Sequence, residues 1–149
     1  MKIKSIAAIC KKNKNIAIFE RYSDDGDILT QYIGDGSAVY PVVGLPQLDK
    51  ESLLTIFDVP EKDRDNYFVK TLGVPVGISF EDTDETERHV EREGISIIYS
   101  GRTLKPIRTT RGLVFIESRY LSPVADVLDV LELYERRTAE GTPYIVAKA

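Results

Sequence analysis

The sequence predicts an α+β fold, a largely antiparallel sheet carrying two principal helices. Short apolar runs are separated by turns rich in Gly, Asp and Asn, the pattern of a strand-rich chain. Two further stretches carry apolar residues at helical spacing behind a capping residue, and each of these follows a strand and a proline-containing loop. At 149 residues, 42% hydrophobic and 30% charged, the chain has the composition of a globular protein, and nothing in it resembles a linker. It reads as a single domain over residues 1–149, long enough to withdraw about 70% of its unfolded surface from water.

Ile3 to Ile9 and Asn15 to Phe19 flank Lys11-Lys12-Asn13-Lys14, whose asparagine suits a tight turn, so the chain is expected to open on a hairpin. Ser23-Asp24-Asp25-Gly26-Asp27 reads as a loop. Ile28 to Ile33 and Ala38 to Val43 form a second hairpin around Gly34-Asp35-Gly36, because Asp and Gly tolerate the conformations of a tight turn. Asp49 is placed to accept from the free amides of a first helix, in which Leu53, Leu54, Ile56 and Phe57 recur at helical spacing. Pro60 ends that helix, and Pro60 to Asp65 starts a short exposed turn.

The middle of the chain reads as β. Val74 to Phe80 is a candidate strand, placed at an edge by Pro75. Ile95 to Tyr99 and Thr103 to Ile107 are joined by Ser100-Gly101-Arg102, and Arg111-Gly112 turns into Leu113 to Ile116. Glu81 to Glu93 reads as a charged loop or a solvated helix. The second helix starts at Ser122 as cap with Pro123 in its first turn, carries the stripe Val124, Val127, Leu128, Leu131 and Tyr134, and ends on Arg136 and Arg137. Val130 and Leu133 lie off that stripe, which implies a second apolar contact and an expected homo-oligomer. Gly141 follows, and Tyr144 to Ala147 is the last strand.

One internal echo stands out. Val39-Tyr40-Pro41-Val42-Val43 and Leu113-Val114-Phe115-Ile116 each precede a proline loop, a capped helix and further strands. This strand–helix–strands unit used twice resembles, at the level of fold, the repeated half-domain of DNA sliding clamps in a permuted order. The resemblance implies two helices on one face of a large antiparallel sheet, and contact with DNA.

The chemistry-bearing residues are few. Cys10 is the single cysteine and excludes an internal disulfide; it sits in the apolar run Ile6-Ala7-Ala8-Ile9 and reads as a small buried hydrophobe. The single histidine, His89, lies in the charged stretch Glu87-Arg88-His89-Val90-Glu91 and is expected to be exposed rather than a base for a thiol. The apolar run after Met1-Lys2-Ile3-Lys4 breaks at Lys11-Lys12, too soon for a signal sequence or a membrane span, so no membrane association and a cytoplasmic location are expected. Asp24-Asp25-Gly26-Asp27 lacks the spacing and distal glutamate of a calcium loop, and Gly34-Asp35-Gly36-Ser37 is not a phosphate cradle. No metal, cofactor or catalytic set is expected.

Charge is segregated although the net charge is only −4. Residues 1–19 hold five lysines and no acid; residues 81–93 hold seven acids and two arginines; residues 94–116 hold four cations and no acid. Lys11, Lys12, Lys14, Arg102, Lys105, Arg108 and Arg111 are therefore the candidate nucleic-acid contacts, made to phosphates and non-specific, since Tyr99 is the one aromatic counted with the second group. The chain reads as a non-enzymatic interaction or assembly protein. The alternatives are a clamp-like protein with a basic face for DNA, and a carboxylate- or Mg²⁺-dependent hydrolase using Asp24 and Asp27 or Glu81 and Asp82.

Overall fold

The computed structural model describes residues 2–75 and 77–149, and the fold is α+β. Among the described residues every strand pairing is antiparallel but one. The chain forms two compact units, Lys2–Pro75 and Val76–Ala149. No helix among the described residues is long and apolar enough to cross a membrane.

The first unit begins with helix α1 (Ile3–Asn13), where a hairpin strand was expected. The correction is one of period. Ile6, Ala7, Ile9 and Cys10 are all buried, and their spacing of one, three and four residues defines a helical face that a strand would split between two sides. Lys11 to Lys14 is consequently no hairpin turn but the end of the helix, with Lys14 as a left-handed C-cap (φ 53°) whose amide donates to the Cys10 carbonyl at 3.0 Å. Strands β1 (Asn15–Tyr22), β2 (Ile28–Gly34) and β3 (Val39–Val42) then run as an antiparallel meander. Helix α2 (Lys50–Ile56) starts on the capping residue expected: Asp49 accepts from the Ser52 amide at 2.9 Å, and Ser52 Oγ accepts from the Asp49 amide at 2.8 Å. A 3₁₀ turn (Glu61–Asn66) behind Pro60 leads into β4 (Phe68–Gly73), a strand the sequence reading missed, which lies parallel to β1 at the sheet edge.

Ile16, Ile18 and Ile33 on one side of this sheet are buried, as are Ile6, Ile9 and Cys10 of α1, which lies against β1 and β2, and Leu53, Leu54 and Phe57 at α2. Gln31 ties the loop before α2 to the sheet: its amide nitrogen donates to Glu20 at 3.0 Å and to the Leu48 carbonyl at 2.9 Å, while its oxygen accepts from the Leu48 amide at 2.8 Å. A buried amide bonded this fully costs the core little.

In the second unit β5 (Arg88–Arg92), β6 (Ile97–Tyr99), β7 (Arg102–Thr109), β8 (Gly112–Glu117), β9 (Glu132–Arg137) and β10 (Pro143–Lys148) form one antiparallel sheet. β8 covers one edge of β7, and β5 and β6 share the other; β5 also pairs with β9, so the sheet curls. The expected strand Val74–Phe80 is not formed in its described residues, and Val76 lies outside them. The Glu81–Glu93 stretch is loop as far as Glu87 and strand β5 from Arg88.

The expected helix from Ser122 to Arg137 is the largest correction. A kinked 3₁₀ segment (Ser118–Val130) takes its first half, with non-helical backbone at Val124 and Val127, and β9 takes the second. Leu121, Val124 and Val127 recur every third residue, the 3₁₀ repeat, and with Leu128 they pack on the core of Val90, Ile107, Leu131 and Leu133. From Leu131 the pattern alternates: Leu131, Leu133 and Glu135 are buried on the side facing that core. Ser122 caps nothing; its hydroxyl donates to the Arg119 carbonyl at 2.7 Å.

Arg136 is thereby a strand residue, completely buried. Its guanidinium donates to the carbonyls of Ser79 (3.0 Å), Glu81 (2.9 Å) and Asp82 (3.2 Å) and is paired with Glu87 at 2.8 Å. Lys148 reaches the same carboxylate at 2.8 Å. The Lys148 bond, together with Arg136, holds the Glu87 carboxyl below its ordinary pKa.

Candidate nucleic-acid interface

Lys11, Lys12 and Lys14 are brought together by the last turn of α1 and its cap. The helix buries Ile6, Ala7, Ile9 and Cys10, so Lys4, Ala8 and Lys12 are left exposed on the opposite side, with Lys11 half-buried beside them and Lys2 and Lys14 exposed at the two ends. α1 contains no acid. Part of the lysine placement has a purely structural cause, because cations stabilise the negative end of a helix dipole. That cause covers the last turn only and leaves Lys2 and Lys4 unexplained. None of the five lysines is ion-paired among the described residues.

The corner where α1 ends is rigidly made. The Lys14 carbonyl accepts from the Phe68 amide at 2.9 Å, and Asn15 is the register partner of Phe68 across the β1–β4 pair. Asn13 donates to Asp35 at 2.9 Å. Asp35 is the acid bonded into this corner; it is buried, and its other oxygen accepts from the Ser37 and Ala38 amides, closing the β2–β3 turn. Phe68, Lys70 and Leu72 alternate along β4 and all three are exposed, with the Lys70 ammonium 5.0 Å from the centre of the Phe68 ring. No acid occurs between Tyr67 and Phe80. The sequence reading missed Phe68 and Lys70; that acid-free stretch was the signal available for them.

Arg102, Lys105, Arg108 and Arg111 lie in the second unit, so the seven candidates fall into two groups. Arg102 and Arg108 point to one side of β7 and Lys105 to the other. Arg108 is paired with Glu93 at 2.7 Å, Arg102 approaches Glu117 at 3.7 Å, and Lys105 donates to Ser96. Arg111 is exposed in the β7–β8 turn. The two arginine pairs are worth about 0–1 kcal/mol each, but both set an acid beside the cation and lower the local potential. The aromatic content of this group differs from the sequence reading: the β7–β8 register sets Phe115 opposite Pro106, on the side that carries Arg102 and Arg108.

Burial, with Asp35 adding to it, pushes the Cys10 thiol up to about 12, so it is no nucleophile at neutral pH. Asp84 accepts from the Thr86 hydroxyl and amide, which hold its carboxyl below the ordinary value. Tyr134 donates to Glu132 at 2.7 Å, and that bond raises its phenol. Among the described residues no three His, Cys, Asp or Glu side chains are grouped to hold a metal ion, Asp24, Asp27, Glu81 and Asp82 included. A shallow cleft between β5 and β9 is lined by His89, Val90, Glu91, Arg92 and Leu131 to Leu133 and contains no cysteine, serine or threonine.

Glu135 is buried in β9 with one oxygen accepting from the Thr110 amide at 3.1 Å and the other without a partner among the described residues. Burial works against its charge, but the Thr110 bonds and the neighbouring Arg137 and Arg88 prevail and keep its carboxyl below the ordinary value. No family model matches the chain, and neither does any curated protein sequence or any solved structure.

Proposed function

We propose that the chain is a non-enzymatic interaction protein that contacts a nucleic-acid backbone, without reading bases, through the lysine side of α1. One observation carries this reading: the exposed side of that helix holds Lys4 and Lys12 with Lys11 at its margin, Lys2 and Lys14 are exposed at its two ends, and the helix contains no acid. The net charge of −4 does not oppose it, because acids more than about 8 Å from the patch are largely screened at physiological salt. A cytoplasmic location belongs to the same proposal.

Binding of a duplex oligonucleotide should fall linearly with the logarithm of salt, the slope losing about 0.9 for each lysine that neutralises a phosphate. The triple variant Lys11→Gln, Lys12→Gln, Lys14→Gln is expected to flatten the slope by two to three such steps, read by fluorescence anisotropy from low to moderate salt. An unchanged slope, or no binding by the wild type at low salt, rejects the reading.

Assembly into a homo-oligomer is favoured by a separate observation. Ile97, Tyr99, Leu113 and Phe115 are exposed on β6 and β8, on the side of the sheet away from Ile107. Exposed apolar residues gathered on one sheet face mark an interaction surface. Light scattering should show a dimer or larger species that Leu113→Lys with Phe115→Lys converts to monomer; a wild-type monomer at high concentration ends this reading.

A further inference from the structure

We infer that the corner joining α1 to β4 takes single-stranded rather than duplex nucleic acid, with Phe68 as the platform on which a base stacks; this rests on the phosphate contact proposed above. Phe68 is 55% exposed in a strand whose backbone is hydrogen-bonded to the end of the lysine helix. Phe68 alternates with Lys70 and Leu72 on one side of an edge strand, which leaves its ring within reach of a partner. Here the backbone of Phe68 is tied to Lys14, whose carbonyl accepts from the Phe68 amide, and the Lys70 ammonium lies 5.0 Å from the centre of its ring. The exposed part of an aromatic ring held beside a cation can take a second flat partner.

Charge selects the partner. Lys70 lies over the ring, Lys14 is joined to Phe68 through the backbone at the end of the helix that carries Lys11 and Lys12, and neither α1 nor β4 contains an acid. The acids next in sequence, Asp63 and Asp65, belong to the 3₁₀ turn before β4, and Asp35 is buried and bonded to amides. A polyanion satisfies the lysines. Only a polyanion with unpaired bases also covers the ring, because duplex bases are stacked on each other and present phosphates and groove edges. Stacking on a phenylalanine tolerates any base, which keeps the contact free of sequence preference.

The experiment measures a labelled oligothymidine and a mixed-sequence duplex of the same length against the full chain at one salt concentration. The wild type should prefer the single strand. Phe68→Ala should weaken single-strand binding roughly five- to a hundredfold, the range one base–aromatic stack supplies, and leave duplex binding unchanged. Phe68→Trp should keep the preference. Phe68→Leu retains apolar surface without an aromatic face and should lose it, and both conservative variants guard against a folding defect in the alanine form.

Equal binding of the two ligands by the wild type, or a Phe68→Leu variant with the full preference, overturns the inference while the α1 reading stands. A Phe68→Ala variant that alters sedimentation but not oligonucleotide affinity assigns the ring to a protein contact and overturns it too. Failure of the wild type to bind either ligand removes the α1 reading and the inference with it.

Discussion

Arg136→Ala is expected to destabilise the second unit by about 3–5 kcal/mol, most of what a marginally stable domain has. The side chain is completely buried and satisfies the carbonyls of Ser79, Glu81 and Asp82 as well as the Glu87 carboxylate. Truncation leaves a cavity and three carbonyls without their donor, and it strips Glu87 of one of its two cations. The penalty therefore comes from the partners left behind rather than from the attraction lost. Arg136→Lys should recover little of it, because one ammonium cannot reproduce a planar fork that spans three carbonyls and a carboxylate. Urea unfolding followed by circular dichroism reads the result. A midpoint shift equivalent to less than about 1 kcal/mol would mean that the 79–87 segment does not depend on this residue.

Gly34→Ala should be comparably severe in the first unit. A Cβ there would lie 1.7 Å from the Ala38 carbonyl oxygen, 2.7 Å from its carbon and 2.9 Å from the Val39 Cα. All three atoms are backbone, so no side chain can turn away, and the β2–β3 turn must open. The cost is at least about 3 kcal/mol, the upper end of what inserting one extra group into packed structure requires. Gly36→Ala is the control. Gly36 has φ +92° but open space around it, so its substitution meets backbone strain alone, roughly 1–2 kcal/mol. A Gly36 variant less stable than the Gly34 variant would show that the turn yields more easily than its Ala38 contact implies.

Local chemistry was legible in the sequence wherever the turn residue and the pattern agreed. Asp49 caps α2, Asp35-Gly36 turns β2 into β3, and Ser100-Gly101 turns β6 into β7 with both residues at positive φ. Apolar runs without such punctuation were misassigned. Ile3 to Cys10 fits a short buried strand by composition, and only the burial of Ile6, Ala7, Ile9 and Cys10 together selects the helix. The Ser122 to Arg137 stripe fits a helix because a repeat of three and an alternation of two, laid end to end, imitate a period of 3.6. Tertiary demand decided the second half, where β9 has partners on both edges in β5 and β10.

The candidate interface was half legible. Lys11, Lys12 and Lys14 are neighbours in sequence, so their proximity needed no fold. Phe68 and Lys70 join them only through the parallel pairing of β1 with β4, which no local pattern encodes. The second cationic group was legible as charge but not as paired charge, because Glu93 and Glu117 meet Arg108 and Arg102 across strands.

That parallel pairing has a consequence for the order in which the first unit assembles. β1 and β4 are its first and last strands, so their contact closes the longest loop in the unit and is entropically the last to be secured. The corner formed by Lys14 and Phe68 is absent from any intermediate in which β4 is undocked. A ligand gripping both sides of that corner acts as a staple on the slowest contact, slowing the release of β4 while leaving the β1–β2–β3 meander to open at its own rate.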